Sequence, residues 1–202
     1  LMLQWMYLAE NPHDVGTKEL LVRAEVSCHY NTAHAQFHPS LHSFQQSFGY
    51  YDIFLFDLEG NLIYSVFKET DFATNFLEGP YAESNLGLAY RKALHSDTPD
   101  SVFLQDFEQY LPSYNAPAIF LSTPVYDQGN KVGVAAFQLS TDKINTIMRN
   151  RHGLGQTGKA YLLGADSTMR SSSLGVHAKE MLSKRVNTKA SRLVMDQVAD
   201  TL

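Results

Sequence analysis

The sequence has little cysteine and no long apolar run. Cys28 is the single cysteine among 202 residues, which excludes an internal disulfide framework and a multi-thiolate metal site. No apolar stretch approaches the ~20 residues that a helix needs to cross a bilayer. The chain begins with Leu1 instead of methionine, and we therefore expect it to be part of a longer protein.

Positive charge is also scarce. The chain carries 16 Lys and Arg against 21 Asp and Glu, which gives a net charge of −5. A nucleic-acid partner is not expected, because such proteins present a basic patch. A hydrophobic content of 44% with 18% charged residues is typical of a globular protein, and the length allows one large or two small domains.

Aromatic residues are abundant, with 12 Phe and 11 Tyr. The most informative stretch, YYDIFLFDLEGNLIYSVFK at residues 50–68, is typical of two strands joined by a turn at Glu59-Gly60-Asn61. A shorter echo, KAYLLGADSTMRSSS, follows at residues 159–173. Because this strand–turn–strand unit occurs twice, we predict two related modules in tandem.

Helical patterns precede the first strand. They predict three helices, at residues 1–10, 18–26 and 30–48. Thr17 is the expected cap of the second, Pro39 predicts a kink or a restart in the third, and Gly49 is its expected C-terminal cap. The third helix has apolar positions at spacings of three and four that predict one buried stripe: Phe37, Leu41, Phe44 and Phe48.

The following segment alternates strands, turns and one helix. Strands are predicted at residues 51–57, 62–67, 101–107, 118–126 and 131–139. Ser84 caps a predicted helix over residues 83–95, and Ser140 caps another that reaches about Arg151. This order predicts an antiparallel sheet with helices on one face. Beyond a linker at residues 153–158, two strands and a helix over residues 176–202 represent a truncated second module.

Several strings together resemble a known family. They are YYDIFLFDLEGNLIYSVFKETDFATN, GPY, DFEQYLPSY, PAIFLSTPV, GVAAFQLSTDKINTIM and GLGQTGKAYLLGADSTMRS. This combination, spread over residues 11–173, resembles the tandem extracytoplasmic Cache sensor regions of bacterial transmembrane receptors, also described as double PAS-like (PDC) modules. Such regions are the sensory halves of chemoreceptors, histidine kinases and nucleotide-cyclase receptors.

The resemblance implies an α+β fold: a PAS-like antiparallel five-stranded sheet with long N-terminal helices, followed by part of a second PAS-like module. Residues 1–49 are then the helical region, 50–152 the membrane-distal module and 153–202 part of the membrane-proximal one. It also implies a periplasm-facing, membrane-anchored sensor that binds a small molecule, without a cofactor. We expect a homodimer through the N-terminal helices. The Arg-x-Trp-Tyr signature of some amino-acid sensors is absent, since the corresponding stretch is DFEQY at residues 106–110.

A binding pocket in this fold is expected between the sheet and the loops that follow the second and third strands. Lys68 or Arg170 would pair with a ligand carboxylate, and Asp71 would hold a ligand amine. The alternative is that these side chains only connect the loops to the sheet. The predicted ligand-binding residues are Lys68, Asp71, Tyr81, Tyr110, Ser113, Phe120 and Ser122.

Two other interpretations stay open. His34, His38 and His42 recur every four residues, as zinc ligands do on a helix, although surface histidines explain the spacing more simply. A hydrolase or metal enzyme would need these histidines to meet a carboxylate such as Asp52 or Glu108. We predict neither catalytic nor metal-binding residues. The remaining alternative is a module without a small-molecule ligand that dimerises or senses a protein partner, which filling of the pocket by Phe103, Phe120 and Phe137 would favour.

Overall fold

The structure, a computed structural model, describes residues 2–150, 152–172 and 180–199. The chain divides into two compact units, residues 1–139 and residues 140–202. The division into regions 1–49, 50–152 and 153–202 stays a prediction. None of the helices in the described ranges is both long and apolar enough to span a bilayer.

The N-terminal region contains one long helix. Helix α1 (Met2–Gln4) continues into a π-helical turn at Trp5–Ala9, and helix α2 spans His29–Phe48. Helix α2 continues through Pro39, so the expected restart there is wrong. It ends at Gly49, whose left-handed backbone (φ 66°) lets its N–H donate to the Gln45 carbonyl at 2.8 Å, which confirms the predicted cap.

The helix predicted over residues 18–26 is wrong, because only a 3₁₀ turn at Lys18–Leu20 forms. Thr17 makes no capping hydrogen bond, and the backbone is extended at Leu21. Residues 19–26, which we name the strap, lie against α2. Their carbonyls accept hydrogen bonds from α2 side chains, and these contacts replace the internal bonds of a helix.

The first unit is built on an antiparallel sheet, as predicted. Its strands are β1 (Tyr50–Phe56), β2 (Leu62–Ser65), β3 (Phe103–Tyr110), β4 (Ala116–Asp127) and β5 (Asn130–Leu139). They are arranged in the order β2-β1-β5-β4-β3, with every neighbouring pair antiparallel. The turn between β4 and β5 has positive φ at both Gln128 and Gly129, the mirror-image geometry that matches strand twist.

Helices cover both faces of this sheet, so the expectation of helices on one face is wrong. Helix α3 (Asn85–Leu94), capped by Ser84 as predicted, packs over a core that includes Phe54 and Phe120. The opposite face buries Ile53 and contacts Leu41 of α2. Successive strand residues point to opposite faces, and β1 is apolar at both.

The predicted buried stripe of α2 is wrong at its three aromatic positions, whereas Leu41 packs against the core as predicted. The aromatic stripe is exposed, with 57% of Phe37, 41% of Phe44 and 60% of Phe48 accessible to solvent. The buried positions of the helix are all polar: Asn31, His34, His38 and Gln45. The polar side chains are buried because main-chain carbonyls accept their hydrogen bonds. The rings of Phe44 and Phe48 stack on Tyr50 of β1, at 6.2 and 6.3 Å between centroids, and remain partly exposed.

The described residues of the second unit form two helices. Helix α4 (Thr141–Arg149) is capped by Ser140, as predicted, and α5 spans Lys189–Ala199. The two predicted strands are reduced to an isolated bridge between Leu163 and Met169. The helix predicted over 176–202 is wrong at residues 180–188, which form turns and a bridge. Residues 176–179 and 200–202 of that prediction lie outside the described ranges.

Candidate functional site

A cavity of about 160 Å³ lies in the first unit, between the loops that follow β2 and β3. We name it the loop cavity. Its lining residues are Leu8, Val15, Gly16, Lys18, Tyr51, Phe67, Lys68, Glu69, Thr70, Pro112 and Tyr114. The volume is close to that of a ~150 Å³ cavity that admits benzene, so it accommodates a small organic molecule.

Glu69 is the carboxylate of this cavity. Its Oε1 accepts a hydrogen bond from the Tyr51 hydroxyl at 2.7 Å, and its Oε2 accepts one from Ser113 at 2.8 Å. Burial raises the pKa of Glu69 to about 7. The Tyr51 ring stacks on Phe67 with 5.0 Å between centroids and 9° between planes. The cavity therefore presents an orientated carboxylate beside aromatic surface.

Lys68 lines the cavity, but its ammonium group is bonded elsewhere. Its Nζ donates to the Ser65 carbonyl at 2.8 Å and lies 5.0 Å from the centre of the Tyr64 ring. The residue is 1% exposed, and burial lowers the pKa of its amine to about 7. Its backbone is left-handed, with φ 55°. The predicted pairing of Lys68 with a ligand carboxylate stays a prediction, and its observed bonds are to the main chain.

Asp71 and Tyr110 form a buried pair. The Tyr110 hydroxyl donates to Asp71 Oδ2 at 2.5 Å, and both residues have no solvent exposure. Burial raises the pKa of Asp71 to about 6, while the bond from Tyr110 opposes this rise. Among the described residues, Oδ1 of Asp71 has no hydrogen-bond partner. An amine that reached this oxygen would satisfy it.

The other predicted residues divide between the cavity rim and the core. Tyr81 donates a hydrogen bond to Thr70 at 3.0 Å, so it braces a lining residue. Phe120 is fully buried against Tyr110, and Ser122 donates to the Ala89 carbonyl of α3 at 2.7 Å. The sheet face beneath α3 is thus occupied by aromatic packing at these positions.

The structure brings together a site that only partly coincides with the predicted residues. Lys68 lines the loop cavity, Ser113 holds Glu69, and Tyr81 braces the rim, whereas Phe120 and Ser122 lie in the core. The prediction omitted the N-terminal lining residues Leu8, Val15, Gly16 and Lys18, because no local sequence pattern indicates a contact across more than 40 residues. Glu69 was expected at one mouth of the pocket, beside Lys68 and Asp71, but was not among the predicted ligand-binding residues.

His34 and His38 of α2 form hydrogen bonds to the strap. His38 Nε2–H donates to the Glu19 carbonyl at 2.6 Å, and its Nδ1 accepts from the Tyr64 hydroxyl at 2.7 Å. His34 Nδ1–H donates to the Val22 carbonyl at 2.8 Å. Both rings are almost fully buried, at 4% and 1% exposure for His34 and His38, so the surface interpretation is wrong for them.

Within the described ranges, no three His, Cys, Asp or Glu side chains are arranged to hold a metal ion. His38 uses both ring nitrogens in hydrogen bonds to protein atoms. Glu108, a carboxylate proposed for a hydrolytic site, is exposed on β3. The histidines therefore act as hydrogen-bonding groups of the protein interior.

No protein-family model matches the chain, and no curated protein matches it in sequence. Solved structures match its fold. An extracellular ligand binding receptor from Desulfohalobium retbaense DSM5692 is 16% identical with a TM-score of 0.51, over 87% of this chain and 29% of that one. The ligand-binding domain of Campylobacter jejuni chemoreceptor Tlp3, in complex with 4-methylisoleucine, is 14% identical with a TM-score of 0.50, over 75% and 53%. The chain has the fold of a Cache sensor domain.

The V. cholerae histidine kinase DctB sensor domain also aligns, at 16% identity and a TM-score of 0.45, over 73% of this chain and 51% of that one. The chain spans less than two thirds of each of these three structures. The Desulfohalobium retbaense and Tlp3 structures confirm the resemblance to Cache sensor regions at the level of fold.

Proposed function

We propose that this chain is the ligand-sensing part of a bacterial transmembrane receptor, facing the periplasm, and that a small molecule binds its loop cavity. The observation that carries the proposal is Glu69, a carboxylate fixed by two hydroxyl groups at the wall of a cavity of about 160 Å³. The Cache fold supports it, since the Tlp3 domain of that fold was solved with 4-methylisoleucine. This region binds and does not catalyse, whatever output domain the whole protein carries.

The proposed signal passes from the cavity to α2 through the strap. Lys18 lines the cavity, and the carbonyl of the next residue, Glu19, accepts the hydrogen bond from His38 of α2. A ligand that favours one position of residues 15–18 therefore also favours one arrangement of the strap against α2. Coupling of this kind requires only that the ligand bind one arrangement more tightly than the other.

A second candidate function is dimerisation or sensing of a protein partner without a small molecule. The exposed aromatic stripe of α2 favours it, because Phe37, Phe44 and Phe48 form an apolar surface along one helix. The packing of Phe120 under α3 favours it too, since that part of the sheet face has no room for a ligand. The proposed homodimer through the N-terminal helices fits either function.

A thermal-shift screen with a matched pair of variants tests the proposal. Organic acids, amino acids, amines and purines are added to the wild type, to Val15→Trp and to Val132→Trp. Val15 lines the cavity, whereas Val132 is an exposed residue of β5. A true ligand raises the melting temperature of the wild type and of Val132→Trp, because only the folded state binds, and fails to do so for Val15→Trp. If no compound stabilises the wild type, the second candidate function replaces the first.

A further inference from the structure

We propose that the loop cavity selects a small organic amine, held as its ammonium ion by Glu69, and that it rejects molecules that carry a carboxylate. This inference rests on the proposed function, because it names the chemical class of the ligand for the same cavity. It departs from the sequence-based expectation, which gave Lys68 a ligand carboxylate and Asp71 a ligand amine.

Glu69 is incompletely paired. A carboxylate has about four acceptor positions, and the hydroxyl groups of Tyr51 and Ser113 fill one on each oxygen. Both donors are neutral. Among the described residues, Glu69 forms no ion pair with a basic side chain. A half-buried negative charge without a cationic partner favours a ligand that supplies one.

Both lysines of the cavity donate hydrogen bonds to main-chain carbonyls. Lys68 Nζ donates to the Ser65 carbonyl at 2.8 Å, and Lys18 Nζ donates to the Leu8 carbonyl at 2.6 Å. Neither ammonium is placed to receive a ligand carboxylate without losing its present bond. A molecule with a carboxylate would in addition be repelled by Glu69.

The walls of the cavity suit the alkyl part of an amine. Leu8, Val15 and Pro112 are apolar, and the rings of Tyr51 and Phe67 stack in parallel beside the carboxylate. Aromatic faces attract ammonium groups, and apolar walls accept an alkyl chain. The volume suits a molecule with about six non-hydrogen atoms, the size of benzene.

The backbone of the loops that line the cavity is strained. Lys68 and Tyr114 both have left-handed backbones, at φ 55° and 57°, and neither is glycine. Residues that are not glycine adopt this region rarely, and such strain persists where the surroundings hold it, frequently at binding sites. The loops after β2 and β3 therefore each have a strained backbone at a residue that lines the cavity.

Calorimetry at pH 8 with four probes of similar length tests the inference. The probes are n-butylamine, which carries an ammonium group, butan-1-ol, which is neutral, butyrate, which carries a carboxylate, and norvaline, which carries both an ammonium group and a carboxylate. We expect binding of n-butylamine alone. Glu69→Gln is expected to weaken that binding at least tenfold, the equivalent of one charge-assisted hydrogen bond. Glu59→Gln, in the exposed turn after β1, is the control and is expected to bind like the wild type.

Circular dichroism establishes that each variant is folded. If Glu69→Gln is unfolded, Glu69→Asp keeps the charge but withdraws it from the cavity, and an equal loss of binding is expected. Equal binding of n-butylamine by wild type and the folded Glu69 variant would overturn the inference. Binding of butyrate or norvaline would also overturn the inference. A compound of another chemical class that stabilises the wild type but not Val15→Trp would do the same. In each of these cases the proposed function stands. Failure of every compound in the screen overturns both.

Discussion

His38 of α2 and Glu19 of the strap are joined by a 2.6 Å hydrogen bond between the imidazole Nε2 and the main-chain carbonyl. The same ring accepts a hydrogen bond from Tyr64 of β2 at 2.7 Å. One buried imidazole thus connects three separate segments of the first unit, and it does so in its neutral form.

Replacement of His38 tests this connection. His38→Phe keeps a ring of similar size but leaves the Glu19 carbonyl and the Tyr64 hydroxyl without their partner. Each buried group without a partner costs about 1–3 kcal/mol, so for two groups we expect a loss of about 2–6 kcal/mol in the free energy of unfolding. Urea denaturation measures it. His29→Ala, at the exposed start of α2, is the control and should change stability by less than about 0.5 kcal/mol. Equal midpoints for the two variants would contradict the assignment.

The buried histidines also predict a dependence on pH. Burial, assisted by the charge of Lys68, lowers the pKa of His34 to about 3 and that of His38 to about 4. Between those values and about 6.5 the unfolded chain binds more protons than the folded one, so stability is lost as the pH falls through this window. Each histidine contributes up to about 1.4 kcal/mol per pH unit.

His34→Gln isolates one of these contributions, because an amide donates to Val22 but does not titrate. Glu69 and Asp71 have raised pKa values and act in the opposite sense, with stability lost as the pH rises through about 7 and 6. They are common to both proteins and cancel in the comparison. We expect the variant to lose less stability than the wild type between pH 6.5 and pH 4, as followed by denaturation at each pH. Parallel pH profiles would refute the assignment.

Removal of the Tyr110 hydroxyl tests its buried hydrogen bond to Asp71. Tyr110→Phe leaves Asp71 without its hydroxyl donor in a site that has no solvent exposure. We expect a loss of about 1–3 kcal/mol in stability, measured by chemical denaturation. Tyr126→Phe removes a hydroxyl from a partly exposed position and serves as the control. A loss no greater than that of the control would show that the hydrogen bond does not stabilise the loop.

The exposed stripe of α2 predicts a change in oligomeric state. If the chain pairs through this surface, Phe37→Glu places a charge within the contact, and the dimer dissociates. Because Phe37 is 57% exposed in the single chain, its melting temperature as a monomer should hardly change. Analytical ultracentrifugation compares the variant with Gln36→Glu, which adds the same charge at the neighbouring exposed position. A wild type that sediments as a monomer at high concentration would remove the dimer from the proposal.

The sheet was predictable from the sequence because its signals are local. Alternating apolar residues set the strands, and Gln128-Gly129 sets the register of the β4–β5 hairpin. The orientation of α2 was not predictable, since an apolar stripe normally indicates the buried side of a helix. In α2 the polar positions His34 and His38 are buried instead, because carbonyls of the strap accept their hydrogen bonds.

The site was predictable to a lesser degree for the same reason. Position after a strand identified Lys68 and its neighbours as loop residues near a pocket, and Lys68 lines the cavity. The direction of its side chain depends on a left-handed backbone, on the ring of Tyr7 from the distant N-terminal segment and on the nearby ring of Phe72. Neither the left-handed backbone nor these ring contacts can be recognised from a sequence pattern.

The strap is held through atoms that every amino acid possesses. Glu19, Val22 and Val26 accept hydrogen bonds with their main-chain carbonyls, whereas the donors are particular side chains of α2. Substitutions at the exposed strap residues Val22 and Val26 should therefore leave its path unchanged, whereas substitutions at Asn31, His34 or His38 remove a hydrogen-bond donor. Saturation mutagenesis would record this asymmetry as tolerant positions in the strap beside intolerant positions in α2.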